Sequence, residues 1–137
     1  MEINILSLVT QESCYTLLRE VRWSEGLCCA HCQSESVVRN GPSSHNPFIH
    51  RYECKSCGKG FNDLSETIFA DSKLDLRVWI LALYFLGLNL STRQISQELD
   101  ISEKSAQKMC EQLRAGIVKK NLIYRLAAQL KSTRFTL

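Results

Sequence analysis

The residues with the clearest chemical potential are two cysteine pairs, Cys29-Ala-His-Cys32 and Cys54-Lys-Ser-Cys57, separated by 21 residues. A two-residue gap lets one tight turn present two sulfurs to the same ion, and a β-hairpin between the pairs would bring the second turn opposite the first. Four soft donors in a tetrahedron are what zinc prefers. The spacing therefore predicts one structural zinc ion held by Cys29, Cys32, Cys54 and Cys57. With all four positions filled by sulfur, such a site stabilises a fold and does not activate water. Gly58, directly after the last cysteine, can take the positive φ that the knuckle needs. Cys28 would serve in place of Cys29 with a three-residue gap, and His31 lies inside the first knuckle, but the regular spacing favours Cys29. Seven cysteines without a secretory signal read as reduced thiols and not as a disulfide framework. Cys14 and Cys110 fall at apolar helical positions, and His45 and His50 on a loop and a strand face; none of the four is expected to bind metal.

A second cluster of functional residue types lies in TRQISQELDISEKSAQKM, residues 92 to 109. Ile95, Leu99, Ile101, Ala106 and Met109 stand where a helix-turn-helix buries side chains, with the small Ser96 at the close helix contact. Asp100 occupies a turn position where glycine is favoured, and Asp adopts left-handed geometry more readily than most residues. In such a unit the start of the second helix faces base edges in the major groove and flanking cations meet phosphates. Lys104, Ser105, Gln107 and Lys108 are the candidate base or phosphate contacts, and Arg93, Arg114, Lys119 and Lys120 the candidate backbone contacts. Glu103 and Glu111 oppose tight binding. The charge distribution agrees: residues 1 to 100 carry 9 basic and 12 acidic side chains, a balance of −3, whereas residues 101 to 137 carry 8 and 2, a balance of +6. A polyanion such as double-stranded DNA would be drawn to the second segment.

The elements that must position these groups can be read from periodicity. Cys14, Leu17, Leu18 and Val21 follow the i, i+3, i+4, i+7 rule and predict a short helix from Gln11 to Val21, ended by Trp23 and Gly26. Val37 and Val38 lie in one predicted strand and Phe48 to Cys54 form a second, joined by the turn-rich Gly41 to Pro47. From Asp75 the pattern is helical: an almost wholly apolar helix to about Leu86, a break at Gly87 to Leu90, a helix opened by the Ser91/Gln94 capping box, and another capped by Ser102. The expected fold class is α+β: a short helix over residues 1–27, a zinc ribbon over 28–66, a helix-turn-helix three-helix unit over 67–118, and a basic, helical C-terminal segment over 119–137. At 137 residues with 45% hydrophobic content, one or two small packed units are expected. The longest apolar run, Val78 to Leu86, is about half of the roughly 20 residues a bilayer requires, so no membrane association is expected. Glu2 and the interrupted apolar residues after it do not form a secretory signal, which points to the cytoplasm.

In their order, the segments SCYTLLREVRWSEGLCCAHCQS, YECKSCGKGFNDLSETIFADSKLDLRVWILALYF and LSTRQISQELDISEKSAQKMCEQLRAGI resemble the N-terminal region of ISXO-like insertion-sequence transposases. The matching features are Arg22-Trp23 and Gly26 before the first knuckle, Phe61 after the second, Thr67-Ile68-Phe69, the Trp79 helix and Ser105-Ala106. The resemblance covers residues 10 to 118, and Ala30 departs from the proline usual after the first cysteine. It implies a transposase DNA-binding region that would precede a catalytic domain of RNase H type bearing acidic metal ligands. Residues 119 to 137 contain no Asp or Glu, so these residues cannot supply a two-metal phosphoryl-transfer site, and the chain is expected not to be an enzyme by itself.

The expected function is recognition of transposon-end DNA by a zinc ribbon and helix-turn-helix. The alternatives are a zinc-ribbon transcriptional regulator built from the same modules, or the DNA-binding subunit of a split or frameshifted transposase. Further partners considered are a catalytic transposase chain or a second copy, since Ile117, Leu122, Ile123, Leu126 and Leu130 of the last segment would form either a dimerisation helix or the exposed face of a severed domain interface.

Overall fold

The computed structural model describes residues 9–70, 72–119 and 121–132. Five helices and one antiparallel sheet follow in the order α1 (Gln11–Arg22), β1 (Val37–Pro42), β2 (His50–Cys54), β3 (Gly60–Asn62), α2 (Leu76–Gly87), α3 (Thr92–Leu99), α4 (Glu103–Val118) and α5 (Leu122–Ser132). The fold is α+β. The chain divides into two compact units: Tyr15–Lys73, and the residues up to Cys14 together with those from Leu74 onward, the division falling inside α1.

The first unit is built on a sheet of order β1-β2-β3. Val37 faces Cys54 across β1 and β2, and Tyr52 faces Phe61 across β2 and β3. Alternation on β2 buries Tyr52 and Cys54. These join Cys29 and Phe61 in a small core against which Trp23, Leu27, Ala30 and Val37 pack. The third strand extends the predicted hairpin; with three residues it is too short to show an alternating pattern. The second strand starts at His50 and not at Phe48, because Asn46-Pro47 closes a turn first. The Asn46 side chain accepts the Phe48 N–H at 3.0 Å and the Asn46 carbonyl accepts the Ile49 N–H at 3.1 Å. A register shift between Arg39 and Pro42 interrupts β1, and Arg51 covers it by donating to the Pro42 and Asn40 carbonyls, both at 3.1 Å.

In the second unit α2 is the central helix, packed against α3, α4 and α5. Leu76, Val78 to Leu83 and Phe85 are all buried, so it is apolar on nearly every side. Asp75 caps its first turn by accepting the Arg77 N–H at 2.9 Å. The Ser91/Gln94 capping box is formed at the start of α3, and Asp100 ends that helix in left-handed geometry, φ 53° and ψ 48°. Ser102 then caps α4 by accepting the Ser105 N–H at 3.1 Å. Ile95, Leu99, Ala106 and Met109 are buried, and the buried hydroxyl of Ser96 donates to the Arg93 carbonyl at 2.7 Å.

Helix α5 is an integral part of this unit. Ile123, Leu126 and Leu130 are buried within the chain itself, on a helix that packs on α4 and α2. Asn121 opens α5 by accepting the Ile123 N–H at 2.9 Å. Close approach of α4 and α5 depends on Gly116, where a Cβ would lie 2.7 Å from the Cβ of Ile123. Alanine there would gain about 1 kcal/mol of helix propensity. Overpacking against a stiff β-branched side chain costs typically about 1–3 kcal/mol and exceeds that gain. Gly116→Ala is therefore expected to lower stability by about 1 kcal/mol, measured as a shift in the urea midpoint at unchanged m-value; a neutral or stabilising result would show that the two helices separate without cost.

Candidate metal centre

The two cysteine pairs fold as equivalent knuckles. In the first, the Cys29 N–H donates to the Ser34 carbonyl at 2.8 Å and the Gln33 N–H returns to the Cys29 carbonyl at 2.9 Å. In the second, the Cys54 N–H donates to the Lys59 carbonyl and the Gly58 N–H to the Cys54 carbonyl, both at 3.0 Å. Both knuckles need positive φ at the fifth position, which Gly58 (76°) takes freely and Gln33 (65°) takes without being glycine. Within the loops, N–H groups aim at sulfur: those of His31 and Cys32 at Cys29 Sγ, 3.3 and 3.4 Å away, and that of Cys57 at Cys54 Sγ, 3.4 Å away. The knuckles are also tied to each other by Ser34 and Ser56 hydroxyls 2.7 Å apart and by the Lys55 N–H on the Ser36 carbonyl at 2.8 Å.

This scaffold gathers the Sγ atoms of Cys29, Cys32, Cys54 and Cys57 within 4.8 Å of one another. Cys29 and Cys57 are 3.7 Å apart and Cys32 and Cys54 3.5 Å apart. A tetrahedral zinc with Zn–S bonds of about 2.3 Å requires sulfur–sulfur edges of about 3.8 Å, so the donor set fits the ion. The four cysteines form a zinc-binding site. Cys28 stays outside the cluster, and His31 is engaged elsewhere: its Nε2 lies 3.3 Å from the Gly60 carbonyl and its Nδ1 3.5 Å from Glu66, with the ring edge-on to Phe61.

The electrostatics of the cluster explain why it needs a cation. The Cys57 N–H pointed at its sulfur draws the Cys54 thiol down to about 6, against the effect of burial. Burial pushes Cys29 up, but the Cys32 and His31 N–H groups outweigh it and the net shift is downward. At Cys32 the Ser34 N–H lowers the pKa, yet the neighbouring Cys54 sulfur, burial and the other two sulfurs carry it up to about 12. Thiols this close cannot all ionise on their own, and a divalent cation removes that restriction.

A second polar centre holds the ribbon unit together. Asp63 is fully buried, and its carboxylate accepts four donors: Tyr52 Oη at 2.6 Å, the His50 N–H at 2.8 Å, Arg19 Nη1 at 3.0 Å and Trp23 Nε1 at 3.4 Å. Arg22 donates to the Asp63 carbonyl at 2.6 Å and to the Ser65 carbonyl, and its guanidinium lies 4.5 Å above the Trp23 ring. Burial lowers the Arg22 pKa, with Asp63 the leading opposing influence; burial followed by the Asp63 hydrogen bond raises that of Tyr52. Sequence reasoning missed Asp63, because one acid among polar neighbours carries no periodic signal.

The transposase zinc-ribbon domain of the IS1595 family matches residues 9–60. Residues 9–60 thus resemble a transposase zinc ribbon. The chain is also similar to an uncharacterised protein in the transposable element ISH50 of Halobacterium salinarum, 41% identical over 102 residues, which is 74% of this chain and 34% of that protein. The chain thus spans about a third of the length of that curated relative. No solved structure matches it. The match ends at Gly60, so buried Phe61, which packs in the ribbon core, and buried Asp63 lie beyond the matched segment.

The remaining sequence-predicted contacts lie on the helical unit. Arg93, Lys104, Ser105, Gln107, Lys108, Arg114 and Lys119 are all exposed, and Lys120 lies outside the described residues. Arg114 stands apart from the start of α4 and lines a groove of about 650 Å³ with Leu83, Leu86, Leu88, Ile117 and Tyr124. No described helix is long and apolar enough to cross a membrane.

Two outcomes test the ribbon. Cys32→Ser should abolish stoichiometric zinc, read by a colorimetric chelator on the purified chain, whereas Cys28→Ser should retain about one ion per chain. Because the folded pKa of Cys54 lies below the ordinary thiol value of 9.0, its contribution to stability is complete above that value and is lost as pH falls through about 6. Bound zinc holds the thiolates deprotonated to lower pH than in the metal-free chain, so metal should be retained through that range and released only at more acidic pH; absence of zinc at neutral pH would contradict the assignment. Separately, Asp63→Ala strands several buried donors and an arginine and should cost about 3–5 kcal/mol; a loss under 1 kcal/mol would show that water replaces the carboxylate.

Proposed function

We propose that this chain is a DNA-binding portion of a transposase that recognises transposon ends, using the zinc ribbon and α3 and α4 as a helix-turn-helix. The observation that carries this reading is the exposed side of α4. Lys104, Lys108 and Glu111 share the face opposite buried Ala106, Met109, Cys110 and Leu113, with Gln107 on its flank. Two helices joined by a short turn through left-handed Asp100 and the Ser102 cap support a helix-turn-helix reading, in which the second helix would enter the major groove. The basic balance of residues 101 to 137 supports attraction to phosphate.

On this reading the zinc is structural and the eight residues named from the sequence make the DNA contacts, with Lys104, Ser105, Gln107 and Lys108 meeting bases or phosphates and Arg93, Arg114, Lys119 and Lys120 meeting the backbone. Recognition is the step assigned to these residues. Strand cleavage needs clustered carboxylates around metal ions, and the metal-holding group found among the described residues consists of four thiols. Longer transposases would supply cutting from another part of the polypeptide or from a partner chain.

The test is duplex binding by the zinc-loaded chain, with transposon-end and unrelated DNA compared at several salt concentrations. Lys104→Ala with Lys108→Ala should weaken binding by about tenfold or more at low salt and reduce the salt slope by about 2, with circular dichroism unchanged because both residues are exposed. Binding at wild-type strength by this double variant would remove α4 from the interface.

A further inference from the structure

We infer that Gln107 is the side chain through which α4 reads a base, and that the base is adenine. This deepens the DNA-binding reading and rests on it. The polar residues of α4 differ in what they are free to do. Ser105 is committed to the helix start: its N–H is held by the Ser102 hydroxyl at 3.1 Å, and that hydroxyl donates in turn to Ser105 Oγ at 2.9 Å. Lys104 and Lys108 are exposed ammonium groups one turn apart. A lysine offers donors only, which a phosphate oxygen satisfies as well as a base edge, so it attracts without much discrimination. Glu103 and Glu111 offer acceptors only and are repelled by phosphate. Arg114 lies about 15 Å farther along the axis than Lys104, against the apolar groove.

Among the exposed residues of the first two turns, Gln107 alone carries a donor and an acceptor in one planar group. It is exposed, and among the described residues its amide makes no hydrogen bond that would restrain it. It lies between the lysines in sequence and beside them on the helix surface, where the cations would hold it against the groove floor. In the major groove adenine presents an N6 donor beside an N7 acceptor, the pattern that a glutamine amide satisfies with both of its atoms. Guanine presents two acceptors and would leave the amide oxygen unpaired. The buried neighbours Ala106, Met109 and Cys110 fix the rotation of the helix, and thereby the direction in which Gln107 leaves it.

The experiment is selection of bound duplexes from a randomised library by the zinc-loaded full chain, followed by affinity measurements on the winners. Wild-type protein should return a site with an adenine that, when replaced, lowers affinity about ten- to a hundredfold. Gln107→Ala should lose that preference at one base pair while the rest of the selected site and binding to mixed-sequence DNA persist. Gln107→Glu, an isostere with acceptors only, should move the preference at that position toward cytosine, whose N4 is a donor. An unchanged adenine preference in Gln107→Ala overturns the inference and leaves DNA binding standing. Failure of the wild-type chain to bind any duplex overturns the functional reading and this inference with it.

Discussion

Four sulfurs within 4.8 Å of one another, two pairs of them 3.5 and 3.7 Å apart across the knuckles, can all be thiolates only around a cation. The ribbon's backbone is organised to deliver that arrangement: each knuckle closes on itself through the same pair of hydrogen bonds, and its free N–H groups turn toward the sulfurs. Little else is available to define the unit, since its hydrophobic core consists of a few aromatic and aliphatic side chains around Tyr52 and Phe61, two of its buried members being the metal-ligating Cys29 and Cys54. Metal and core are therefore one cooperative system. Withdrawing the ion removes the reason for two core residues to be where they are.

The second constraint on that unit is electrostatic and buried. Asp63 would be costly without partners, and its four donors come from α1, β2 and the residue following α1. Each donor fixes a different chain segment to one carboxylate, so the helix and the sheet within Tyr15–Lys73 have a single arrangement that satisfies everyone. Aromatic contacts reinforce it: Trp23 meets Tyr52 and Phe61 edge-on at about 6 Å between centroids. The zinc shapes one end of the ribbon and Asp63 locks the α1 segment to its sheet.

What could be read in advance follows a physical division. Ligand spacing, helical periodicity and capping chemistry are local, so the cysteine cluster, the Asp75, Ser91 and Ser102 caps and the left-handed Asp100 were all legible. Contacts made by residues far apart in sequence were not. Asp63 reaches back 44 residues to Arg19, the short β3 exists only by pairing with β2, and Gln33 adopts a glycine-like backbone because the knuckle demands it. The last segment was legible as an apolar-faced helix, but whether Ile123, Leu126 and Leu130 faced a second chain or their own depended on Gly116, whose missing side chain lets α5 approach α4.

A closed thiolate site shifts the burden of function to the surface. With every metal position filled by sulfur, the ion has no vacancy for water or substrate, so any specificity must come from side chains that folding leaves uncommitted. Most polar groups in the ribbon are committed: Arg19, Arg22, Arg51 and Asp63 satisfy backbone or one another, and Ser34 and Ser56 clasp the knuckles. On α4 the balance reverses, because capping by Ser102 satisfies the helix end and leaves Lys104, Gln107 and Lys108 unspent. Rigid caps and buried apolar neighbours hold the backbone beneath these free groups, so that binding costs them side-chain entropy but little backbone ordering.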